Sequence, residues 1–258
     1  MKCKICKDMK YIGANFLFNL FFVLWTVIYG IIMLPSIFLP PEKVIEVRKF
    51  WVKGILFSLK LFLGVEFEVR GRENIEVYEK FIVASKHHSP LDVLLLADLF
   101  VKPAFILKRS LVYIPIFGLY MIATKMITIT YSKKSNGVDV LRKMLRQAKV
   151  LAKNRTIILY PEGGRTKVGQ QVEYKRGIVA LYKHLKLPVI PVALNAGQIW
   201  PVGYFSNKKS GRVVIHVLPP IPPGLRDDEF LRTLRKTIEE HTNNLLENVN
   251  THLAPSTE

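Results

Sequence analysis

Residues Phe81–Phe100 read FIVASKHHSPLDVLLLADLF. The run FIVAS is continuously apolar and strand-forming, as expected of a strand covered on both faces. Across Lys86–Ser89 it gives way to an apolar helix. Ser89, Pro90 and Asp92 spell a helix start: Ser89 as N-cap, Pro90 at the first helical position, and Asp92 completing a Ser-x-x-Asp capping box. His87 and His88 therefore fall in a loop at the carboxyl end of a strand. That is where open α/β sheets build their sites.

The same alternation continues along the chain. Further strands are expected at Glu66–Arg70, Ala104–Lys108, Met126–Thr130, Thr156–Tyr160, Pro188–Leu194 and Val213–Leu218. Helices are expected between them at Pro90–Phe100, Ile114–Thr124, Gly137–Lys153 and Val172–Lys186, with a last charged helix at about Asp227–Asn250. Strands alternating with helices predict an α/β fold, a largely parallel mixed sheet of about seven strands flanked by helices. A chain of 258 residues is long enough for one such domain and a small appendage. In LPVIPVALN (Leu187–Asn195), Pro191 inside a strand pattern predicts an edge or bulge position.

The appendage is N-terminal. Between Lys10 and Glu42 lie 31 residues without one charge, more than the ~20 that a membrane-spanning helix needs. The apolar core exceeds the roughly 7–15 residues of a signal-peptide h-region, and no small-x-small cleavage site follows. Pro35, Pro40 and Pro41 end the helix instead. Basic residues flank both sides (Lys2, Lys4, Lys7 and Lys10; Lys43, Arg48, Lys49 and Lys53), which favours a re-entrant or in-plane anchor with both ends on the cytoplasmic side. Phe50–Gly64 reads as an amphipathic interfacial helix whose Lys53 and Lys60 reach toward head groups. The expected division is residues 1–64 as membrane-anchoring helices and 65–258 as the α/β domain. Location at a membrane follows, on its cytoplasmic face (the inner membrane in a bacterium).

The net charge is +18, from 38 basic and 20 acidic residues. Nucleic acid or an anionic membrane surface would answer it. No zinc-finger or RNP motif is present, so the lipid bilayer is the expected partner and nucleic acid is not. Two stretches carry much of the charge: Arg142, Lys143, Arg146, Lys149 and Lys153, and Lys208, Lys209 and Arg212. The two cysteines, Cys3 and Cys6, stand in CKIC with no second pair to complete a tetrahedral zinc site.

Three stretches carry chemistry. His87 and Asp92 are five apart and would not meet on one continuous helix, but with His87 in the loop and Asp92 in the first turn the chain can fold back. A carboxylate on one ring nitrogen fixes the tautomer and supports the imidazolium, and the other nitrogen takes a proton from a hydroxyl. The helix N-terminus favours negative charge at Asp92. Two other readings fit the same residues: Asp92 as a cap alone, or a metal site built on the histidine pair. The second stretch, YPEGGRT (Tyr160–Thr166), is a glycine-permitted turn after a strand, with Glu162 and Arg165 as a carboxylate and a bidentate cation. It lacks the spacing of a Walker loop. The third, LKRSLVYIPIFG (Leu107–Gly118), brings Lys108 and Arg109 out of a strand end.

In order and spacing, the histidine loop, the basic strand end with Pro115 and Gly118, YPEGGRT, and the apolar Val189–Ala193 resemble the glycerolipid acyltransferases, which include the 1-acylglycerol-3-phosphate acyltransferases. The likeness covers about Lys80–Asn195. His87 to Asp92 matches the family's HxxxxD motif. Departures are Tyr160 for the usual Phe, Gly164 for Thr, Lys86 for the Asn before the histidine, and Ser110 for an acidic residue. The resemblance implies His87 as general base oriented by Asp92. It also implies Glu162, Gly163 and Arg165, with Lys108, as the phosphate-binding set. The substrates it implies are a lysophospholipid and an acyl-CoA or acyl carrier protein thioester, with no cofactor and no metal. Another lysolipid or an aminolipid as acceptor, or a non-catalytic basic module that docks on membranes, stand as alternatives.

Overall fold

The computed structural model describes residues 2–130 and 136–251, and the side chains of residues 11–130 and 136–247. Cys3 and Cys6 lie outside the described side chains. The elements are α1 (Lys2–Ile32), a 3-10 turn (Leu34–Phe38), α2 (Pro41–Leu63), β1 (Val65–Arg70), α3 (Glu73–Glu76), β2 (Ile82–Ser85), α4 (Pro90–Leu99), β3 (Pro103–Lys108), a second 3-10 turn (Arg109–Tyr113), α5 (Phe117–Ala123) and β4 (Ile127–Ile129). They continue with α6 (Gly137–Leu151), β5 (Thr156–Leu159), α7 (Gly177–Leu185), β6 (Val189–Leu194), α8 (Ala196–Ile199), β7 (Gly211–Val217) and α9 (Asp227–Thr251). The seven strands form one mostly parallel sheet in the order β1-β7-β6-β2-β5-β3-β4. Every strand expected from the sequence is present. The helix expected at Val172–Lys186 begins only at Gly177, because the chain before it returns to the turn, with Lys175 N donating to Pro161 O at 2.7 Å.

The chain falls into two compact units. The first holds Met1–Val65, Val93–Ile157 and Asn207–Ser210; the second holds Glu66–Asp92, Ile158–Ser206 and Gly211–Glu258.

In the first unit, α1 and α2 form an antiparallel hairpin. Residues rising along α1 meet residues falling along α2: Phe21 with Phe62 (ring centroids 5.9 Å), Trp25 Nε1 donating to Trp51 O (3.0 Å), and Tyr29 OH donating to Val47 O (2.7 Å). The indole and phenol tips thus spend their donors inside the hairpin while the apolar remainder of α1 stays outward. The stretch Tyr11–Ile32 is long and apolar enough to cross a membrane, with a mean hydropathy of 1.9 and 17% of it buried. On α2, Phe50, Phe57 and Leu61 are exposed beside the exposed Lys53 and Lys60.

Asn15 bridges α1 to the 207–210 segment through both halves of its amide. Nδ2 donates to Lys208 O (2.9 Å) and Oδ1 accepts from Lys208 N (2.7 Å). Lys208 is buried, its ammonium 2.7 Å from Asn19 Oδ1 and over the ring of Phe18. Of the basic residues in the Lys208–Arg212 stretch, Lys209 stays exposed and Lys208 does not. Lys208 is drawn into amide and aromatic contacts, while Arg212 pairs with Glu66 at 3.2 Å in the second unit. The basic residues of α6 stay exposed, with Met144 and Ala148 buried on the opposite face. Lys108 ends β3 as an exposed side chain. Gly118 closes the following segment, and a Cβ there would run into the carbonyl oxygen of Val112.

In the second unit, β6 pairs parallel with β2 (Ser85 opposite Val192) and antiparallel with β7 (Val192 opposite Val217). Pro191 is thus interior to the sheet; of the two positions expected for it, the edge is corrected and the bulge is found, since the pairing with β7 and the Val189–Ile221 pair differ in register by one residue. Its carbonyl accepts from Leu218 N at 2.9 Å. Its missing N–H falls where the pairing is broken: β7 ends at Val217, and the next pair on that side, Val189 with Ile221 (2.9 and 2.8 Å), is one residue out of register with the β6–β7 ladder.

Candidate active site

The second unit brings His87 and Asp92 together. Asp92 sits in the first turn of α4 with its carboxylate fully buried, and His87 lies in the loop between β2 and α4 with its side chain 12% exposed. His87 Nδ1 is 3.1 Å from Asp92 Oδ2. The same oxygen accepts from the backbone N–H of His88 and of Ser89, each at 2.7 Å. Ser89 Oγ in turn accepts from Leu91 N at 3.0 Å. The capping box is half realised, with Asp92 reaching back to Ser89 as expected and Ser89 serving the second helical N–H in place of the third. Cap and orienter share one oxygen atom. Asp92 Oδ1 is buried without a hydrogen-bond partner.

The YPEGGRT turn packs directly on this loop. Tyr160 stacks on the His87 ring at 3.9 Å between centroids and 17° between planes. Thr166 donates its N–H to the His87 carbonyl at 2.8 Å, and its hydroxyl lies 3.3 Å from the same oxygen. Gly163 adopts φ +78°, the left-handed conformation that suits glycine, and its N–H bonds back to Tyr160 O at 3.0 Å. Arg165 is half-buried, with Nη2 donating to Tyr204 OH at 3.1 Å and its guanidinium over the Tyr204 ring. The Tyr160 hydroxyl is buried and unpartnered, and burial holds its pKa well above the ordinary phenol value.

Glu162 points inward. Its carboxylate is fully buried and 3.1 Å from the Lys86 ammonium, close enough to attract but without the alignment of a hydrogen bond. Lys86 gives its aligned bonds to Glu239 on α9, at 2.7 and 2.9 Å, and Tyr174 OH donates to Glu239 at 3.0 Å. Burial pushes the Glu162 carboxyl up to about 8, against the opposing pull of Lys86. Burial also depresses His88 to about 4, and both of its ring nitrogens lack partners. His88 is therefore neutral at pH 7 and buried.

Of the residues singled out from the sequence, His87, Asp92, Glu162, Gly163 and Arg165 belong to this unit, and Lys108 belongs to the first. Sequence reasoning missed Tyr160 as the stacking partner of His87, Thr166 as its carbonyl's donor, and Glu239. The signal for the last was Lys86, a lysine directly after a buried strand, which demands a carboxylate. Among the described residues, no cluster of three or more His, Cys, Asp or Glu side chains is placed to hold a metal ion.

The histidine–aspartate pair at the lip of the sheet and the glycine turn against it both lie within residues 66–195, which match the Acyltransferase family, and the chain belongs to it. Over 151 residues it is 35% identical to the 1-acyl-sn-glycerol-3-phosphate acyltransferase of Pseudomonas aeruginosa, a match covering 58% of each chain. Over 176 residues it is 27% identical to the enzyme of that name from Saccharomyces cerevisiae, covering 66% of this chain and 57% of the yeast one. The match thus spans less than two thirds of either relative. The crystal structure of the 1-acyl-sn-glycerophosphate acyltransferase PlsC from Thermotoga maritima shares the fold, with a TM-score of 0.69 over 93% of this chain and 98% of that one at 22% identity.

Proposed function

We propose that this protein transfers a fatty acyl group from an acyl-CoA or acyl carrier protein thioester to the sn-2 hydroxyl of 1-acylglycerol-3-phosphate, making phosphatidic acid. The observation that carries the reading is the His87 Nδ1–Asp92 Oδ2 contact at 3.1 Å, with Asp92 fixed by two backbone N–H groups. With Nδ1 engaged, Nε2 is the nitrogen that removes the acceptor's proton. The hydroxyl oxygen then bonds to the thioester carbonyl carbon. The tetrahedral intermediate collapses by breaking the C–S bond, and the imidazolium returns its proton to the departing thiolate. Asp92 stabilises the imidazolium in between. The thioester is a substrate, and the reaction calls for no resident cofactor or metal.

Gly163 and Arg165 bind the acceptor's phosphate; the open turn at Gly163 lets the backbone approach, and Arg165 offers two donors. Glu162 serves that subsite from beneath, through Lys86. The N-terminal hairpin works at a bilayer, on its cytoplasmic face (the inner membrane in a bacterium), where lysolipid resides. Purified protein assayed against a panel of lysolipids with both donors tests this. Turnover is expected with 1-acylglycerol-3-phosphate and lost in His87→Ala. Arg165→Ala raises the Michaelis constant for that acceptor and leaves a phosphate-free one nearly unchanged. A His87→Ala protein turning over at the wild-type rate sinks the proposal.

A further inference from the structure

We propose that Glu239 of α9 is a positioning residue for acyl transfer, acting through Lys86 to hold the His87 loop and the Glu162 turn in a fixed relation. The inference rests on the acyl-transfer reading above. Lys86 is the residue directly before His87, and its side chain is 1% exposed. Its backbone N–H is bound to Val192 O at 3.1 Å, which ends the β2–β6 ladder. Its ammonium sits between two carboxylates distant in sequence, Glu239 at 2.7 and 2.9 Å and Glu162 at 3.1 Å. Tyr174 holds one Glu239 oxygen at 3.0 Å, so the acceptor of the Lys86 bonds is itself fixed. On the other side, the His87 carbonyl is held by Thr166, just past the turn. The base is thus bracketed: one flank is tied to the turn through a backbone carbonyl, the other through a buried cation shared with α9.

Stability does not explain this arrangement. Burying an ammonium among two carboxyl groups carries a desolvation cost, and apolar side chains of similar volume often serve as well or better. What the cluster gives is geometry. It also links a residue of α9 to the loop that carries the base. Its charge balance couples to the turn as well. The groups that face Glu162 are Lys86, Asp92, Tyr174, Tyr160 and Glu239. Glu239 repels the Glu162 carboxylate and competes with it for Lys86. Without the Glu239 charge, Glu162 ionises at lower pH and is the carboxylate left to Lys86.

The test is steady-state kinetics of the full-length protein in mixed micelles, with 1-acylglycerol-3-phosphate and acyl-CoA, across pH 6 to 9. In wild type, kcat/KM for the acceptor falls as pH rises through about 8, where Glu162 ionises, and Glu162→Gln removes that limb. In Glu239→Gln, kcat drops at least about tenfold at pH 7, the KM for the acceptor rises, the KM for acyl-CoA stays within about twofold, and the alkaline limb moves to lower pH. Glu239→Asp recovers part of the kcat. Should Glu239→Gln fail to fold, Lys86→Met/Glu239→Met replaces the pair with apolar side chains of similar length; it folds, and its kcat is reduced to a similar degree. A merely structural Glu239 lowers the melting temperature but leaves kcat per folded molecule and the pH limb in place, and that result overturns the inference. His87→Ala separates the two readings. If it is inactive while Glu239→Gln is normal, only the positioning role fails; if it is active, the acyl-transfer reading fails first.

Discussion

Asp92→Asn is the substitution on which the site's geometry bears most directly. Asp92 Oδ2 accepts three N–H groups, one from the His87 ring and two from the helix-start backbone. A hydrogen bond to a charged group is worth about 1.5–3 kcal/mol and a neutral one about 0.5–1.5, so each of the three loses about 1 kcal/mol when the carboxylate becomes an amide. The two backbone bonds register in folding, at about 2 kcal/mol together. The His87 bond registers in the transition state, where the imidazolium forms and the charge matters most, and there the loss approaches about 3 kcal/mol. At about 1.36 kcal/mol per tenfold, kcat falls by a factor on the order of 100 to 200. The new amide N–H2 takes the place of Oδ1, which is buried without a partner, and an unpaired buried donor adds roughly 1–3 kcal/mol of instability. If the amide turns to relieve that strain, it presents N–H to His87, selects the wrong tautomer, and the loss in kcat grows further. The assay is initial-rate turnover of 1-acylglycerol-3-phosphate per folded molecule, paired with a thermal melt. A variant within tenfold of wild-type kcat with an unchanged melt refutes the shared-oxygen account.

Tyr160→Phe keeps the ring on His87 and removes a buried hydroxyl that has no partner; relief of about 1–3 kcal/mol should raise the melting temperature by several degrees with turnover within about twofold, and a less stable or inactive variant would show that the hydroxyl is used. His88→Leu addresses pH: the unfolded chain protonates His88 near its ordinary 6.5 and the folded chain only near about 4, so wild type loses stability as pH falls across that interval while the variant loses less, as denaturant titrations at pH 7 and pH 5 will read. Gly118→Ala forces a methyl group into the Val112 carbonyl, and the backbone shift should cost about 1–3 kcal/mol in a denaturant melt; a variant as stable as wild type would mean the segment gives way freely.

The alternation of apolar strands with helices was enough to place all seven strands to within a residue or two, because buried parallel strands leave long apolar runs that little else in a soluble domain produces. The histidine loop was legible for a different reason: Ser89, Pro90 and Asp92 obey local rules of helix initiation, and those rules also set where Asp92 stands. Long-range partners were not legible. Lys86 and Glu239 are 153 residues apart, and no spacing rule joins a loop lysine to a glutamate in the middle of a charged helix. Lys208 failed for a related reason: a charged residue reads as surface until two asparagines of α1, Asn15 and Asn19, are found beside it. Pro191 was legible only as a choice between edge and bulge: the rule against proline in interior strands concerns the missing N–H, and the break in register between β7 and the Val189–Ile221 pair is where that N–H is not called for.

Those two asparagines have a meaning for the apolar helix that carries them. A smooth hydrophobic cylinder against lipid can roll about its own axis at little cost, since every face is equally at home. Asn15 and Asn19 remove that freedom by locking to Lys208. The rotational phase of α1 is thereby set, and the row Ile12, Phe16, Leu20, Val23, Val27 and Ile31 is turned permanently outward. The polar interruptions in an otherwise uncharged run thus work as a key in a keyway, fixing which stripe of the helix stays outward.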